Sequence, residues 1–185
     1  AMFCLTDNSR FINYRNLIRS KPVMDVDFFR EIASELVPLD ITKVLENSAN
    51  KKVGIVMTHA ERGNPCYHQP TKDTWIDALI ASSSMPLLTK GAHPVGDEKF
   101  MDGAWSDSLP VKWAIEQGAT EILIIRTTAE KEKMQQSWLD YFGELYHWRQ
   151  KDIKRIFQTN HIKFNQSLEF ILNPPVGITI QQIAP

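Results

Sequence analysis

The sequence predicts a mixed α/β fold, and two kinds of pattern indicate it. Residues 53–57 and 121–126 are short, almost wholly apolar runs, which is typical of buried strands. Residues 25–37, 73–82 and 109–117 have the apolar spacing and the flanking residues of helices. Because helices alternate with strands that are apolar on both faces, we expect parallel strands covered by helices on two sides.

A change in composition after residue 128 divides the chain. The next residues are polar and charged, and helical spacing then returns over residues 137–157 and 162–172. We therefore expect an α/β domain over residues 1–128 and a helical C-terminal extension over residues 129–185. The length of 185 residues fits one domain with an appendage and allows a buried core without disulfides.

Charge and cysteine content narrow the classes of function. The chain has 21 basic and 22 acidic residues, so no electrostatic feature favours a nucleic-acid partner. Its two cysteines, Cys4 and Cys66, lack CxxC spacing, and we expect reduced thiols. No apolar run approaches the roughly 18 residues of a transmembrane helix, and the first residues lack a signal-peptide pattern. These features predict a cytoplasmic protein.

Residues 99–127 carry the most chemical information. A strand-like start leads to Asp102, which is followed by Gly103 and Ala104, a turn without bulky side chains, and then by a helix start at Pro110. A carboxylate at a strand end, near a helix start, can meet a reactive group from a neighbouring strand. An isolated Asp-Gly pair most often only caps a turn, so the surrounding pattern decides between the two interpretations.

Four segments, in order and spacing, resemble the patatin-like phospholipases. Asp102-Gly103-Ala104 is similar to the DG[GA] motif of that family, and the SLPV that begins at Ser108 is similar to the NLPV that follows it. Upstream, residues 75–86 resemble a family segment that reads DALRAS-A-IP, and residues 53–68 resemble V-ATD--TGEPVYF. Residues 16–40 and 164–185 are similar to the bacterial branch, which has an extra helical C-terminus.

The resemblance implies a partial three-layer α/β/α sandwich with a helical C-terminal extension. It also implies hydrolysis of carboxylic esters, acyl lipids among them, by a Ser–Asp dyad without histidine, metal or other cofactor. Within the motif Asp102-Gly103-Ala104, the resemblance makes Asp102 the general base. Ser108 stands where the family usually has Asn, and Met85 where it has a small residue. Neither departure affects the catalytic motif.

The nucleophile of the family is absent from these 185 residues. The eight glycines include no adjacent pair and no GxSxG. The family places the serine elbow and a Gly-rich oxyanion loop ahead of the region of Asn16, so we expect both to lie upstream of Ala1 and the isolated chain to be inactive.

The alternative to a truncated enzyme is a non-catalytic binding or regulatory module that kept the fold. The reading frame upstream of Ala1 discriminates between the two, because a GxSxG there indicates an enzyme. The same gap predicts an uncovered strand edge, near residues 53–57 or 121–126. We expect this edge to pair with a second copy, to retain an N-terminal fragment, or to cause aggregation.

Two polar clusters favour structural interpretations. Ser82, Ser83 and Ser84 lack the flanking glycines of a nucleophile elbow, so we expect them to satisfy backbone groups at a helix end. Four residues with metal-binding side chains match no compact ligand motif, and residues 63–65 instead indicate a hairpin turn. Those four are His59, Glu61, His68 and His93.

The C-terminal helices combine aromatic and basic residues, which is compatible with two interpretations. The aromatic residues include Trp138, Tyr141, Phe142, Tyr146 and Trp148, and basic residues follow from Arg149 to Arg155. A lipid-interfacial face has this composition. An ordinary packing stripe with a solvated edge has it too, and we expect the packing stripe, with contact to a membrane surface as the alternative.

Overall fold

The computed structural model describes residues 10–16, 19, 21–86 and 88–185. These residues form two compact units that divide between Trp105 and Ser106. The first unit holds a four-stranded sheet, and the second holds a two-stranded sheet with the longest helix. The predicted mixed α/β fold with a helical C-terminal part is thereby confirmed. The predicted domain boundary at residue 128 stays a prediction.

The first unit begins with a 3-10 turn at Tyr14–Asn16, and a helix follows over the predicted residues 25–37. This helix consists of an α-helical half and a π-helical half, Ile32–Leu36, so it is more widely wound than predicted. The elements of the unit are α1 (Asp27–Glu31), α2 (Ile41–Asn47), β1 (Ile55–His59), β2 (Pro65–His68), α3 (Trp75–Ser82), β3 (His93–Val95) and β4 (Glu98–Asp102), and the short α4 (Ala104–Asp107) spans the division.

The four strands form an antiparallel sheet in the order β2-β1-β4-β3. The parallel pairing predicted for residues 53–57 is therefore wrong. Only residues 60–64 connect β1 to β2, and so short a connection returns the chain antiparallel. This reversal confirms the hairpin predicted near residues 63–65. Residues 55–57 of β1 are apolar because the strand is central in the sheet, whatever the direction of its neighbours.

Helix α3 packs on this sheet through its smallest side chains. Ala78 and Ala81 are fully buried and form a core cluster with Met57, Val95 and Phe100 of the strands. Alanines at the contact allow the helix to approach the sheet closely. This packing brings the chain that leaves α3 next to the end of β4, where the backbone N–H of residue 102 donates to the carbonyl of residue 84.

The second unit pairs two parallel strands. Its elements are α5 (Val111–Glu116), β5 (Glu121–Ile125), α6 (Trp138–Tyr146), α7 (Lys151–Leu172) and β6 (Thr179–Ile183). Parallel pairing of residues 121–126 is thus confirmed, but burial on both faces is wrong, since Leu123 and Ile125 are 56% and 77% exposed. The side chains of β5 alternate between a half-buried and an exposed face. Strand β6 is not among the predicted strands, because Asn173-Pro174-Pro175 indicates only the end of a helix.

The turn between the two C-terminal helices lies at a different place from the predicted one. The chain turns at residues 147–150, and α7 runs unbroken through residues 157–162, where a gap was expected. Contacts between α6 and α7 determine the turn, because the Asp140 carboxylate accepts a hydrogen bond from the Asn160 amide at 2.7 Å. Helical spacing continues across residues 137–172, so the pattern alone does not locate the turn.

The aromatic side chains of α6 are exposed, and the predicted packing stripe is wrong for this helix. Trp138, Tyr141 and Tyr146 are each more than 60% exposed. The buried residues of α6 are Asp140 and Gly143. The helix therefore packs through its polar and small residues and leaves its aromatic residues at the surface.

A methyl group at Gly143 should destabilise the pair of α6 and α7. Its carbon would lie 2.4 Å from Cδ1 of Phe157, whose side chain is 1% exposed. An alanine usually stabilises a helix by about 1 kcal/mol relative to glycine, whereas we expect Gly143→Ala to lose about 1–3 kcal/mol through overpacking. Urea unfolding measures the change. The loss should shrink in a Phe157→Leu background, and stabilisation by Gly143→Ala would contradict the packing.

The open edge of β5 should make the chain self-associate. Strand β1 has neighbours on both edges, so the edge predicted near residues 53–57 is covered, whereas β5 pairs only with β6 among the described residues. Because an apolar strand with an unpaired edge binds other strands, we expect oligomers in sedimentation, unless a further segment of the protein is bound. Ile125→Lys should increase the monomer fraction. A wild-type monomer of 21.3 kDa would contradict this expectation.

Candidate active site

Asp102 is held by its backbone at the end of β4. Its N–H donates to the carbonyl of Ser84 at 2.8 Å, and its carbonyl accepts from the hydroxyl of Thr58 at 2.7 Å. Thr58 lies in β1 and is fully buried, and Ser84 follows the last turn of α3. The predicted position of Asp102 at the end of a sheet strand is confirmed. Because two neighbouring elements hold its backbone, its side chain projects from a fixed point.

The carboxyl group of Asp102 is half-buried, and this raises its affinity for a proton. Burial raises the pKa of Asp102 above the usual value for an aspartate, and a hydrogen bond from the backbone N–H of Ala104 to Oδ1, at 2.9 Å, offsets only part of the rise. A carboxylate whose pKa is raised accepts a proton more readily near neutral pH. Asp102 therefore has the electrostatic environment that a general base needs.

The pKa of Asp77, in the same unit, is shifted in the opposite direction. Its Oδ1 accepts hydrogen bonds from Arg30 and from His93, the latter at 2.8 Å. Burial alone would raise the pKa of Asp77, but these hydrogen bonds lower it below the usual value. Among the described residues, no cation contributes to the pKa shift of Asp102. The difference in partners explains why burial prevails at Asp102 and not at Asp77.

Gly103 lets the backbone pass very close to β1. A side-chain carbon at this position would lie 2.2 Å from the carbonyl oxygen of Val56 and 2.5 Å from its carbonyl carbon. Side chains do not approach a backbone so closely, so glycine is required here on steric grounds. Ala104 then begins α4. The small residues of the Asp102-Gly103-Ala104 motif thus allow β4 to end against β1 with Asp102 in place.

Asp102 lines an apolar cavity of about 340 Å³ in the first unit. The polar residues of its lining are Asp102 and Ser83, and the other lining residues are apolar. The apolar wall includes Phe11, Met24, Phe29, Leu79 and Met85. A cavity of this size, mostly apolar with few polar groups, has the character of a small-molecule site.

The structure assigns different roles to the three consecutive serines. The hydroxyl of Ser82 donates to the carbonyl of Val56 at 2.8 Å, and the buried hydroxyl of Ser84 donates to the carbonyl of Ile80 at 2.7 Å. The predicted bond to a helix end is confirmed for Ser84, whereas Ser82 has a structural role by binding a carbonyl of β1 instead. Ser83 is exposed and lines the cavity with Asp102. The sequence predicts only a structural role for Ser83 and does not indicate its place beside Asp102, because Asp102 belongs to a different element.

The sequence does not predict that the residues of the apolar wall share one cavity. Phe11, Met24 and Phe29 precede the first strand, whereas Leu79 and Met85 belong to α3 and the residues after it. These two segments are more than 40 residues apart along the chain. Folding alone brings them together, so local patterns do not predict this part of the site.

The residues considered for a metal site have separate partners. Among the described residues, no group of three or more potential ligands is arranged to hold a metal ion. The histidine contacts are His59 Nε2 to Glu98 Oε1 at 3.1 Å, His68 Nε2 to Thr74 Oγ1 at 2.9 Å and His93 Nε2 to Asp77 Oδ1 at 2.8 Å, and the backbone N–H of Glu61 donates to His59 Nδ1 at 3.2 Å. Each histidine thus binds a different neighbour.

Comparison with known proteins extends this description of the site. The family model described as patatin-like phospholipase matches residues 11–115, which include Asp102 and the whole cavity wall. A protein of Escherichia coli (strain K12), named uncharacterized protein YjjU, is 25% identical to the chain in an alignment that covers 97% of the chain and 51% of YjjU. The chain spans about half the length of that relative.

The matched region contains the elements that form the site. It begins before α1 and ends within α5, so it includes the whole antiparallel sheet, helix α3 and the motif at residues 102–104. The family match covers more than half of the 185 residues. The chain belongs to the patatin-like phospholipase family.

Proposed function

We propose that the chain supplies the catalytic aspartate of a serine acyl hydrolase that acts on carboxylic esters such as acyl lipids. The observation that carries the proposal is a half-buried carboxylate with a raised pKa, Asp102, that lines an apolar cavity in a patatin-like domain. In this proposal Asp102 forms a Ser–Asp dyad with a serine from a part of the protein outside these 185 residues, which contain no GxSxG.

The proposed chemistry needs one base that acts twice. Asp102 takes the proton of the serine hydroxyl while the serine oxygen attacks the ester carbonyl, and the proton then passes to the leaving alcohol. In the second half, Asp102 takes a proton from the water that attacks the acyl-enzyme, and the serine recovers its proton. Burial supports this role because a carboxylate with the usual pKa is a weak base.

The cavity supports an acyl substrate. Its wall is made of aliphatic, thioether and phenyl side chains, which can contact a hydrocarbon chain but cannot hydrogen-bond a polar one. The hydroxyl of Ser83 is the other polar group of the lining, and in this proposal it contacts the substrate and is not the nucleophile. The length of the acyl chain and the nature of the alcohol are not part of the proposal.

A non-catalytic lipid-binding module is the second candidate, and the absence of GxSxG from the chain is the observation that favours it. Such a module would keep the apolar cavity and bind acyl chains without turnover. The complete reading frame separates the candidates, because an in-frame Gly-rich loop and GxSxG ahead of Ala1 are needed for the dyad and not for binding.

We also propose a cytoplasmic protein, since Cys66 has a free thiol. Burial, followed by the charge of Glu98, raises the pKa of this thiol, which keeps it protonated and unreactive. Cys4 lies outside the described residues. Free thiols of this kind are usual in reducing compartments.

The chain alone should not hydrolyse short p-nitrophenyl esters, because it carries the base without the elbow serine. The measurement is release of p-nitrophenol by the purified chain. Turnover that disappears in Ser83→Ala or Ser84→Ala would show that the serine cluster supplies a nucleophile, and it would overturn the proposed division of the dyad.

In the protein translated from the complete reading frame, Asp102→Asn should lower kcat about 100- to 10,000-fold with little change in KM, since it removes a general base. Asp97→Asn is the matched control, because Asp97 lies on the exposed turn before β4. Equal kcat values in the two variants would contradict the catalytic role of Asp102.

Asp102→Asn should also stabilise the fold at neutral pH. The folded state binds the Asp102 proton more tightly than the unfolded chain, in which an aspartate has a pKa of about 3.9. As the pH rises from that value through the raised folded pKa, ionisation of Asp102 therefore removes stability. We expect Asp102→Asn to unfold at a higher temperature than the wild type at pH 7, with a difference that disappears toward pH 4.

Thermal unfolding between pH 4 and pH 7 measures this difference. Asp97→Asn controls for the loss of one negative charge at an exposed position. A variant Asp102→Asn that is less stable than the wild type at pH 7, or a difference that does not change with pH, would show that burial does not penalise the Asp102 carboxylate.

A further inference from the structure

The apolar face of α6 is turned to the solvent. Its large side chains recur at the spacing of a single helical face and are between 54% and 70% exposed. These side chains, here named the α6 stripe, are Trp138, Tyr141, Phe142, Leu145 and Tyr146. Trp148, just after the helix, is 62% exposed as well. Contiguous exposed patches of large apolar side chains mark binding surfaces.

The opposite face of α6 makes the contacts that hold the helix. Asp140 is 2% exposed, its side chain accepts from the backbone N–H and hydroxyl of Ser137, and its Oδ1 accepts from Asn160 of α7. Gly143 lies against the ring of Phe157, where even a methyl group would overlap. Asp140 and Gly143, which contact α7, are not part of the α6 stripe, and the residues of the stripe stay more than half exposed although the two helices are packed together.

The chemistry of the stripe fits the surface of a lipid bilayer. Tryptophan and tyrosine combine an apolar ring with a polar group, and they concentrate where hydrocarbon meets headgroups. The charged residues of α6 itself point elsewhere, since Asp140 is buried and Glu144 accepts hydrogen bonds from Gln136 and Gln158. The exposed face of the helix thus consists of uncharged amphipathic and apolar side chains.

A cationic segment follows the stripe directly. Residues 149–155 contain four basic residues and one acidic residue, Asp152. The guanidinium of Arg149 lies over the ring of Trp148, 4.7 Å from its centroid, which joins the cationic segment to the aromatic side chains. Basic side chains beside an apolar face add electrostatic attraction to anionic phospholipid, and stable attachment to a bilayer usually needs both contributions.

We propose that the α6 stripe, together with Trp148 and the cationic segment 149–155, is a site that binds the surface of a bilayer containing anionic phospholipid. In this proposal α6 lies along the interface with its apolar face in the bilayer. No helix among the described residues is long and apolar enough to cross a bilayer. This site goes beyond the proposed hydrolysis, because it does not involve Asp102 and binds lipid whether or not an ester is cleaved.

Vesicle flotation tests the site. We expect the chain to float with vesicles of equal parts phosphatidylcholine and phosphatidylglycerol, to float less with phosphatidylcholine alone, and to be released in part by added salt. Fluorescence quenching by brominated lipid should then report contact of Trp138 and Trp148 with the bilayer. Absence of the chain from the anionic vesicle fraction would overturn the proposal.

Two pairs of substitutions separate the apolar and electrostatic contributions. Phe142→Ser with Leu145→Ser should weaken binding to both vesicle types by at least about tenfold, since the apolar side chains that insert are lost. Lys151→Glu with Arg155→Glu should weaken binding to the anionic vesicles by about tenfold and leave binding to phosphatidylcholine unchanged. Circular dichroism checks that each variant is folded.

Matched controls make the test specific. Tyr14→Ser removes an aromatic ring that is 73% exposed but lies outside the stripe, and it should bind as the wild type does. Asp102→Asn should also bind as the wild type does, so failure of the proposed hydrolysis leaves this result unchanged. Equal losses in Tyr14→Ser and Phe142→Ser would overturn the proposal. So would a dimer that Phe142→Ser dissociates and that does not bind vesicles, because the stripe would then contact a second copy.

Discussion

The close contact between Gly103 and β1 is the constraint on which the candidate site depends. The carbonyl of Val56 occupies the space that any side chain at position 103 would need. With glycine there, β4 can end against β1, and hydrogen bonds from Thr58 and to Ser84 then hold the backbone of Asp102. The glycine of the Asp102-Gly103-Ala104 motif therefore allows the close packing of two strands in this chain.

The position that the contact creates is unfavourable for an ionised carboxylate, and the proposed role of Asp102 as a general base depends on this property. The apolar wall beside Asp102 removes water from the carboxyl group without supplying the cationic partners that Asp77 has in Arg30 and His93. Burial therefore costs stability whenever Asp102 is ionised. Sites that perform acid–base chemistry commonly carry such a cost, since the same desolvation shifts the pKa toward neutrality.

In the second unit, helix α6 differs from the other elements in which of its residues are buried. In α6 the buried contacts come from Asp140 and Gly143, and the large side chains remain at the surface. A helix that packs by a glycine contact and a carboxylate–amide hydrogen bond has its hydrophobic face available for other surfaces. The family match ends within α5, so this part of the chain lies outside the region on which family membership rests, although the alignment to YjjU covers 97% of the chain.

The sequence by itself determined the mixed α/β class, the strands near residues 53–57 and 121–126, and which carboxylate ends a strand, because composition, periodicity and the Asp102-Gly103-Ala104 motif are local. Tertiary structure alone decided the direction of β1, the turn at residues 147–150, the apolar wall from two distant segments, and the exposure of the α6 stripe. The physical reason is the same in each case. Periodicity tells which side chains share a face, whereas pairing, turning and burial depend on what the rest of the chain places against that face.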